Sequence, residues 1–372
     1  MSVPAAGASS IESGTPGVLH TRLCARFGVR YPVVQTAMGY VADAHLTAAT
    51  ANAGGLGILS AVLLSGDEMS AAVSEVRAVT DAPFGVNILA NVSDASERID
   101  RLIRAKVPVV SFAMAPKAEL VARCKDAGIA VIASIGARRH AEKVAAWGAD
   151  AVIVQGAEGG GHTGGVPTSL LLPQVVDALV GSDTLVVGAG GFFDGRGLVA
   201  ALAYGADGIA MGTRFLLTSD SPVADAVKQV YLGKTVTDTV VTTEVDGIPQ
   251  RLLRNPTVDS LTRTHAPRRL LRAARNAVAY RRMSGTHWSA LVKDGLAMRK
   301  SGDLTLSQTV MAANAPMLYR TALLDGRADV GVMATGQVVG LIDDLPSCAE
   351  LIDRIMEQAT EVLTALTGAG RG

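Results

Sequence analysis

From Tyr31 onward the chain alternates short, uninterrupted apolar runs with longer segments in which apolar residues recur every three or four positions. The runs at 32–36, 57–60, 84–89, 107–112, 130–135, 151–155, 184–188 and 208–211 are rich in β-branched residues. They read as eight strands covered on both faces, because a strand with one wet face alternates. The intervening segments 42–53, 67–79, 95–105, 116–127, 138–147, 170–180 and 195–204 carry helix formers on one apolar face. Several close on a glycine just before the next run, as in Asp126-Ala127-Gly128, Trp147-Gly148-Ala149-Asp150 and Tyr204-Gly205-Ala206-Asp207, and glycine there is a helix stop.

Eight such units in roughly 200 residues match an α/β fold of the closed (β/α)8 TIM barrel type, which takes about 250 residues. An open doubly wound sheet carries its Gly-rich turn after the first strand. Here the richest Gly loops follow strands six, seven and eight.

After Leu217 the pattern changes to a polar, Thr-rich stretch at 236–245 and then a basic helical region, before apolar helices resume near Val332 and at 349–366. The expected organisation is a flexible tail at 1–19, a barrel at 20–221 and 331–372, and a basic helical cap domain inserted at 222–330. The final helices should pack back on the barrel.

Composition narrows the classes. Lys and Arg number 34 and so do Asp and Glu, with 49% hydrophobic and 18% charged residues, which excludes a disordered chain and speaks against a general nucleic-acid binder. Cys24, Cys124 and Cys348 are odd in number and far apart, as expected for reduced thiols in a cytoplasmic protein. The first 17 residues lack the basic start and apolar core of a signal peptide. Residues 46–66 are uncharged, but Asn52, Gly54, Gly55 and Gly57 interrupt them, so no membrane span is expected.

In a barrel enzyme the carboxyl ends of the strands build the site. Strand one delivers Gln35-Thr36-Ala37-Met38-Gly39, strand three Gly85-Val86-Asn87, strand five Ser134-Ile135-Gly136, and strand six Gln155 followed by a Gly-rich loop through His162. Glycines after strands seven and eight (Gly190, Gly191, Gly212, with Thr213) leave backbone N–H groups free to converge on one phosphate. Plain barrel turns are the other reading of those loops. Asn87, Ser134 and Gln155 are placed to hydrogen-bond a polar heterocycle, and Lys143 could add positive charge.

His162, flanked by Gly159, Gly160, Gly161 and Gly164, is the catalytic candidate, because the glycines give an imidazole little local packing and let backbone approach a flat ligand. No metal-ligand spacing and no nucleophile elbow occurs. The segment 263–282 holds seven arginines, among them Arg268, Arg269, Arg272 and Arg275, with an apolar stripe. It reads either as a solvated cap face or as a grip for a phosphorylated handle such as coenzyme A. Nucleic-acid or membrane contact is disfavoured by the lack of interleaved aromatics.

The motifs Gln35-Thr36-Ala37-Met38-Gly39, Ala53-Gly54-Gly55-Leu56-Gly57, Phe84-Gly85-Val86-Asn87, Glu158-Gly159-Gly160-Gly161-His162-Thr163-Gly164, Ala189-Gly190-Gly191 and Met211-Gly212-Thr213-Arg214 resemble those of the nitronate monooxygenase family. That family is related to flavin-dependent enoyl-acyl-carrier-protein reductases. The resemblance runs from about residue 20 to 220 and resumes at Ala334-Thr335-Gly336-Gln337. It implies an FMN-binding barrel in which Met38, Asn87, Lys143, Gly160, Gly161, Gly190, Gly191, Gly212 and Thr213 hold the flavin. It further implies that His162 is the base that takes the substrate proton while FMN accepts the electrons.

A closer similarity, extending over cap segments 281–284, 294–299 and 311–317, is to a subgroup of actinobacterial steroid-catabolic flavoproteins. These act on the bicyclic CoA ester left after cholesterol ring breakdown. The resemblance implies α,β-dehydrogenation of a bicyclic acyl-CoA, with NAD(H) as a candidate electron partner; the cap surface itself reads as suited to a homodimer. Nitronate oxidation and turnover-free flavin or CoA binding are the alternatives.

Overall fold

The computed structural model describes residues 17–113, 116–263 and 306–368. The strands are β1 (Val33–Gln35), β2 (Leu56–Ser60), β3 (Gly85–Leu89), β4 (Val109–Ala113), β5 (Ala130–Ile135), β6 (Ala151–Gln155), β7 (Gly161–His162), β8 (Leu185–Ala189) and β9 (Gly208–Met211). All but β7 join as a closed barrel of eight parallel strands, sealed where Gln35 of β1 lies opposite Met211 of β9. Every expected strand is present within two residues of its predicted ends. The short β7 lies outside the barrel and was not foreseen.

Helix α1 (Arg22–Phe27) precedes the barrel, and α2 (Ala44–Asn52), α3 (Gly66–Val79), α4 (Ala95–Arg104), α5 (Ala118–Asp126), α6 (Arg138–Ala146), α7 (Thr168–Ala178) and α8 (Gly195–Ala203) alternate with its strands. The helix-stop glycines Gly128, Gly148 and Gly205 have positive φ of 74°, 88° and 88°, as a left-handed C-terminal cap requires. In two of these turns the next Asp has a second task. Asp150 accepts the Val131 N–H at 2.7 Å and the Lys125 ammonium at 2.6 Å, and pairs with Arg26. Asp207 accepts the Val186 N–H at 2.9 Å and two Arg22 bonds at 2.9 and 3.1 Å. Both tie neighbouring strands together at the amino-terminal face, away from the mouth.

Strand alternation divides the core into two layers. Val34, Ile58, Val109, Ile132, Ile153 and Val187 cluster inside the barrel, whereas Val33, Leu59, Val86, Val110, Val131 and Val152 pack outward against the helices. Continued to the carboxyl ends, the inward set becomes polar: Thr36, Ser60, Asn87, Ser111, Ser134 and Gln155. Asn87 and Ser111 are already bonded to each other, Nδ2 to Oγ at 3.2 Å.

Beyond β9 come α9 (Thr213–Leu216), α10 (Asp225–Leu232), β10 (Thr239–Thr242), β11 (Gln250–Leu253), α11 (Pro256–Arg263), α12 (Leu306–Leu323) and α13 (Cys348–Thr367). The inserted segment is therefore not purely helical. Its Thr-rich stretch forms a strand, and β10 and β11 pair antiparallel and extend to β7. A small separate core of Val245, Leu252, Val258, Leu261, Ala315 and Val332 supports that sheet. Helix α13 opens on a capping box of Ser347 and Glu350 and packs against α8 so closely that a Cβ on Gly195 would stand 2.4 Å from the Ile355 carbonyl oxygen. The three cysteines are buried and unpaired, and burial pushes the Cys124 and Cys348 thiols up to about 12. No helix among the described residues is long and apolar enough to cross a membrane.

Candidate active site

The Gly-rich loop after β6 is held by the protein's own groups. Gln155 Nε2 donates to the His162 carbonyl at 2.7 Å and the Gly160 carbonyl at 3.2 Å. Glu158 turns back to accept the Thr168 N–H and hydroxyl at 2.9 and 2.7 Å, which satisfies an orphan donor at the start of α7. Arg251 of β11 donates to the Ala157 carbonyl at 3.2 and 2.9 Å, and Thr163 N–H donates to the Pro249 carbonyl at 3.0 Å. Across the ladder, Gln250 lies opposite His162 and Arg251 opposite Gly161.

These contacts change the reading of several glycines. A Cβ on Gly156 would stand 2.5 Å from Thr168 N, one on Gly159 2.6 Å from Gln155 Nε2, and one on Gly160 2.4 Å from the Thr335 carbonyl carbon. Their bareness serves packing of the loop, and Gly160 accommodates the 334–337 segment on its Cβ side. Gly161 differs, with a φ of +66° and nothing nearer than 4.0 Å to its Cβ position.

The His162 ring stands half exposed beside residues delivered by the insertion. Its Nε2 lies 2.7 Å from Asp246 Oδ2 and 3.1 Å from Gln250 Nε2. Asp246 Oδ1 accepts the Ile248 N–H at 3.1 Å, and the Tyr319 hydroxyl of α12 donates to Gln250 Oε1. Burial acts to raise the Asp246 carboxyl, but the hydrogen bond and charge of His162, with donors from Ile248 and Gln250, hold it below the usual carboxylate range. Burial, with the nearby Asp246 charge, pushes the Tyr319 phenol up, so it stays a donor.

Of the residues expected at a ligand, Met38 and Gly212 come together. A Cβ on Gly212 would be 3.4 Å from both Met38 Sδ and Thr36 Oγ1. Gly190 and Gly191 have φ of +89° and +84°, a conformation that suits glycine. Asn87 and Ser134 belong to the inward set at the mouth. Three of the expected residues have partners within the protein. Gln155 commits its amide donors to the loop. The Thr213 hydroxyl accepts the Gly336 N–H at 2.9 Å and so holds the 334–337 segment. Lys143 lies on the exposed face of α6 with its ammonium 4.9 Å from the Trp147 ring centre. Trp147 follows α6 on the way back to the amino-terminal face, so Lys143 points away from the mouth.

Arg268, Arg269, Arg272 and Arg275, and cap segments 281–284 and 294–299, lie outside the described residues. Asp246, Gln250 and Tyr319 were not expected from the sequence. The one local signal was the Asp246-Gly247 turn in a segment whose strand went unrecognised.

A family model described as nitronate monooxygenase matches residues 20–101 and 91–358. The chain is 58% identical over 348 residues, 93% of its length and 98% of the relative's, to a Mycobacterium tuberculosis protein. That protein is named (3aS,4S,5R,7aS)-5-hydroxy-7a-methyl-1-oxo-octahydro-1H-indene-4-carboxyl-CoA dehydrogenase. It is 57% identical to the Rhodococcus jostii protein of the same name, covering 94% of this chain and 98% of that one. Among solved structures, FabK of Thermotoga maritima superposes with a TM-score of 0.74 at 31% identity, over 94% of this chain and 99% of that one. With its barrel, its His162 loop and a family match spanning nearly the whole length, the chain belongs to the nitronate monooxygenase family.

Proposed function

We propose that this protein is an FMN-dependent dehydrogenase that introduces a double bond into a bicyclic indanone-type carboxyl-CoA ester. The observation that carries the substrate class is the extent of the similarity. At 58% identity over 93% of the chain, it runs through the 222–330 segment that we assign as the substrate-facing cap.

The mouth of the barrel fits a flavin. Inward-facing Asn87, through its amide oxygen, and Ser134 face the edge of a polar ring system, above an interior that is otherwise apolar. Gly190, Gly191, Gly212 and the Thr213 backbone would hold the phosphate, and Met38 would border the ring. Bound there, FMN would supply the two-electron acceptor that a CH–CH dehydrogenation needs.

The thioester acidifies the adjacent C–H, so a base of modest strength can take that proton. His162 is that base. Its ring is half exposed, while the bonds to Gln155, Arg251 and Pro249 hold its loop. The β10–β11 hairpin covers one flank of the ring and limits the water that reaches it. The 3′-phosphate and pyrophosphate of the CoA would lie toward the arginine-rich cap, where guanidinium forks suit them.

An anaerobic titration of the flavin-loaded protein tests this reading, with the oxidised flavin band followed on addition of a bicyclic carboxyl-CoA ester, an alkyl nitronate or NADH. Bleaching by the CoA ester is the expected result. Bleaching by the nitronate alone would make the protein a nitronate oxidiser, and no response to any of the three would indicate a binder without turnover. His162→Ala should retain FMN and reduce at least about 10²-fold more slowly.

A further inference from the structure

We infer that Asp246, carried by the inserted hairpin, is a positioning residue that keeps the proton of neutral His162 on Nε2, leaving Nδ1 as the ring nitrogen that accepts the substrate proton. This inference rests on the reading of His162 as the base.

The argument is one of donors and acceptors. Asp246 is a carboxylate held below the usual range, so it presents only acceptors. With Oδ2 2.7 Å from His162 Nε2, an unprotonated Nε2 would set two lone pairs against each other. Nε2 must therefore carry hydrogen. Gln250 Nε2 also lies 3.1 Å from that nitrogen, and a Gln250 donor aimed at it would favour the opposite tautomer. The Tyr319 hydroxyl donates to Gln250 Oε1, which places the amide nitrogen on the side of His162 and Asp246. With its amino group on that side, Gln250 helps to lower the Asp246 carboxyl. Ile248 N–H bonds the other oxygen at 3.1 Å. Two bonded donors, His162 and Ile248, thus hold the two oxygens of one carboxylate. Glu244 shares the Asp246 turn, and of the charged groups beside the loop Glu158 caps α7 and Arg251 holds Ala157.

The arrangement has a consequence for the division of labour in the fold. The barrel supplies the imidazole, and the insertion supplies what orients it. Asp246 is 84 residues from His162 in sequence, in the turn between two strands that pair with the histidine loop through the β7–β11 ladder.

Two measurements on the flavin-loaded full chain test the inference. The first is the nitrogen chemical-shift pattern of 15N-histidine-labelled protein, with His162 assigned by its loss in His162→Gln. Wild type should show the Nε2–H form, and Asp246→Asn should show a mixture or the Nδ1–H form. The second is the rate of flavin reduction by the CoA ester. Asp246→Asn should slow it about 10²- to 10⁴-fold, the range expected when a catalytic histidine loses its tautomer, with KM changed less than about twofold. Tyr319→Phe, which frees the Gln250 amide to turn, should slow it about two- to tenfold.

An Nδ1–H signal in wild type would overturn the inference, even if Asp246→Asn proved too unstable to assay. So would Asp246→Asn with wild-type rate and tautomer while His162→Gln is inactive. If His162→Gln also reduces at the wild-type rate, the base assignment itself fails, and the two failures are thereby told apart.

Discussion

Gly160 and Thr335 are in backbone contact: a Cβ added to the glycine would stand 2.4 Å from the Thr335 carbonyl carbon and 2.6 Å from Gly336 N. The histidine loop and the return segment to the barrel are thus seated on each other, and the seat is closed by Gln337 N–H donating to the Glu158 carbonyl at 3.0 Å.

Backbone cannot swing aside as a side-chain tip can. Gly160→Ala should therefore cost about 1–3 kcal/mol, the usual range for an overfilled site, and should loosen His162 as well. The expected result is a lower Tm together with reduced flavin content. A fully loaded variant with wild-type Tm would show that the 334–337 segment moves freely from the loop.

The opposite face of the barrel offers a stability change without a catalytic one. Asp150 is buried and accepts the Val131 N–H at 2.7 Å, so Asp150→Ala leaves that donor unsatisfied at a cost of about 1–3 kcal/mol. Denaturant unfolding should shift to a lower midpoint while the flavin-reduction rate per folded molecule stays unchanged. A fall in that rate would connect the two faces in a way that the geometry does not suggest.

Acid should weaken the attachment of the carboxyl-terminal segment. Asp344 bonds Arg214 at 2.8 Å and pairs with Arg354. Burial acts to raise its carboxyl, but the two guanidinium groups hold it below the usual range. A carboxyl lowered in the folded state stabilises fully above its unfolded value of about 3.9, and that contribution is lost as pH falls through the lower folded value. Asp344→Asn should therefore be less stable than wild type near neutrality, with the gap closing below about pH 4. The same sign applies to Asp246. Denaturant midpoints measured from pH 7 to pH 2.5 would reveal a constant gap if the pairing contributes nothing.

The proposed CoA grip is tested through the cap. Replacing Arg268, Arg269, Arg272 and Arg275 together by Ala should raise KM for the CoA ester by about 10-fold or more, since each charge-assisted bond lost contributes roughly 1.5–3 kcal/mol at most. The reduction rate at saturation should hold. An unchanged KM would return the arginines to the role of a solvated face.

Most of the barrel could be read along the chain. Parallel strands covered on both faces need continuous apolar runs, so 130–135 and 151–155 announced β5 and β6 residue for residue. The glycines that stop helices need positive φ, so Gly128, Gly148 and Gly205 marked the turns. His162 stood out because glycines surround it. The same glycines misled on their purpose, because sequence shows that a side chain is missing and not what fills its place.

Lys143 shows the limit from another side. Its position early in the helix after β5 suggested the mouth, but a side chain on α6 has a full turn of directions open to it, and the Trp147 ring draws this one toward the other face. The two-residue β7 is too short to carry a pattern of its own. The polar residues that meet at His162 come from 246, 250 and 319, and no local periodicity connects segments so far apart. Burial and backbone chirality act on near neighbours and leave a readable trace in composition. The alignment of one imidazole, one carboxylate and one amide is a long-range contact, settled only when the barrel closes and the inserted hairpin pairs with the loop beside it.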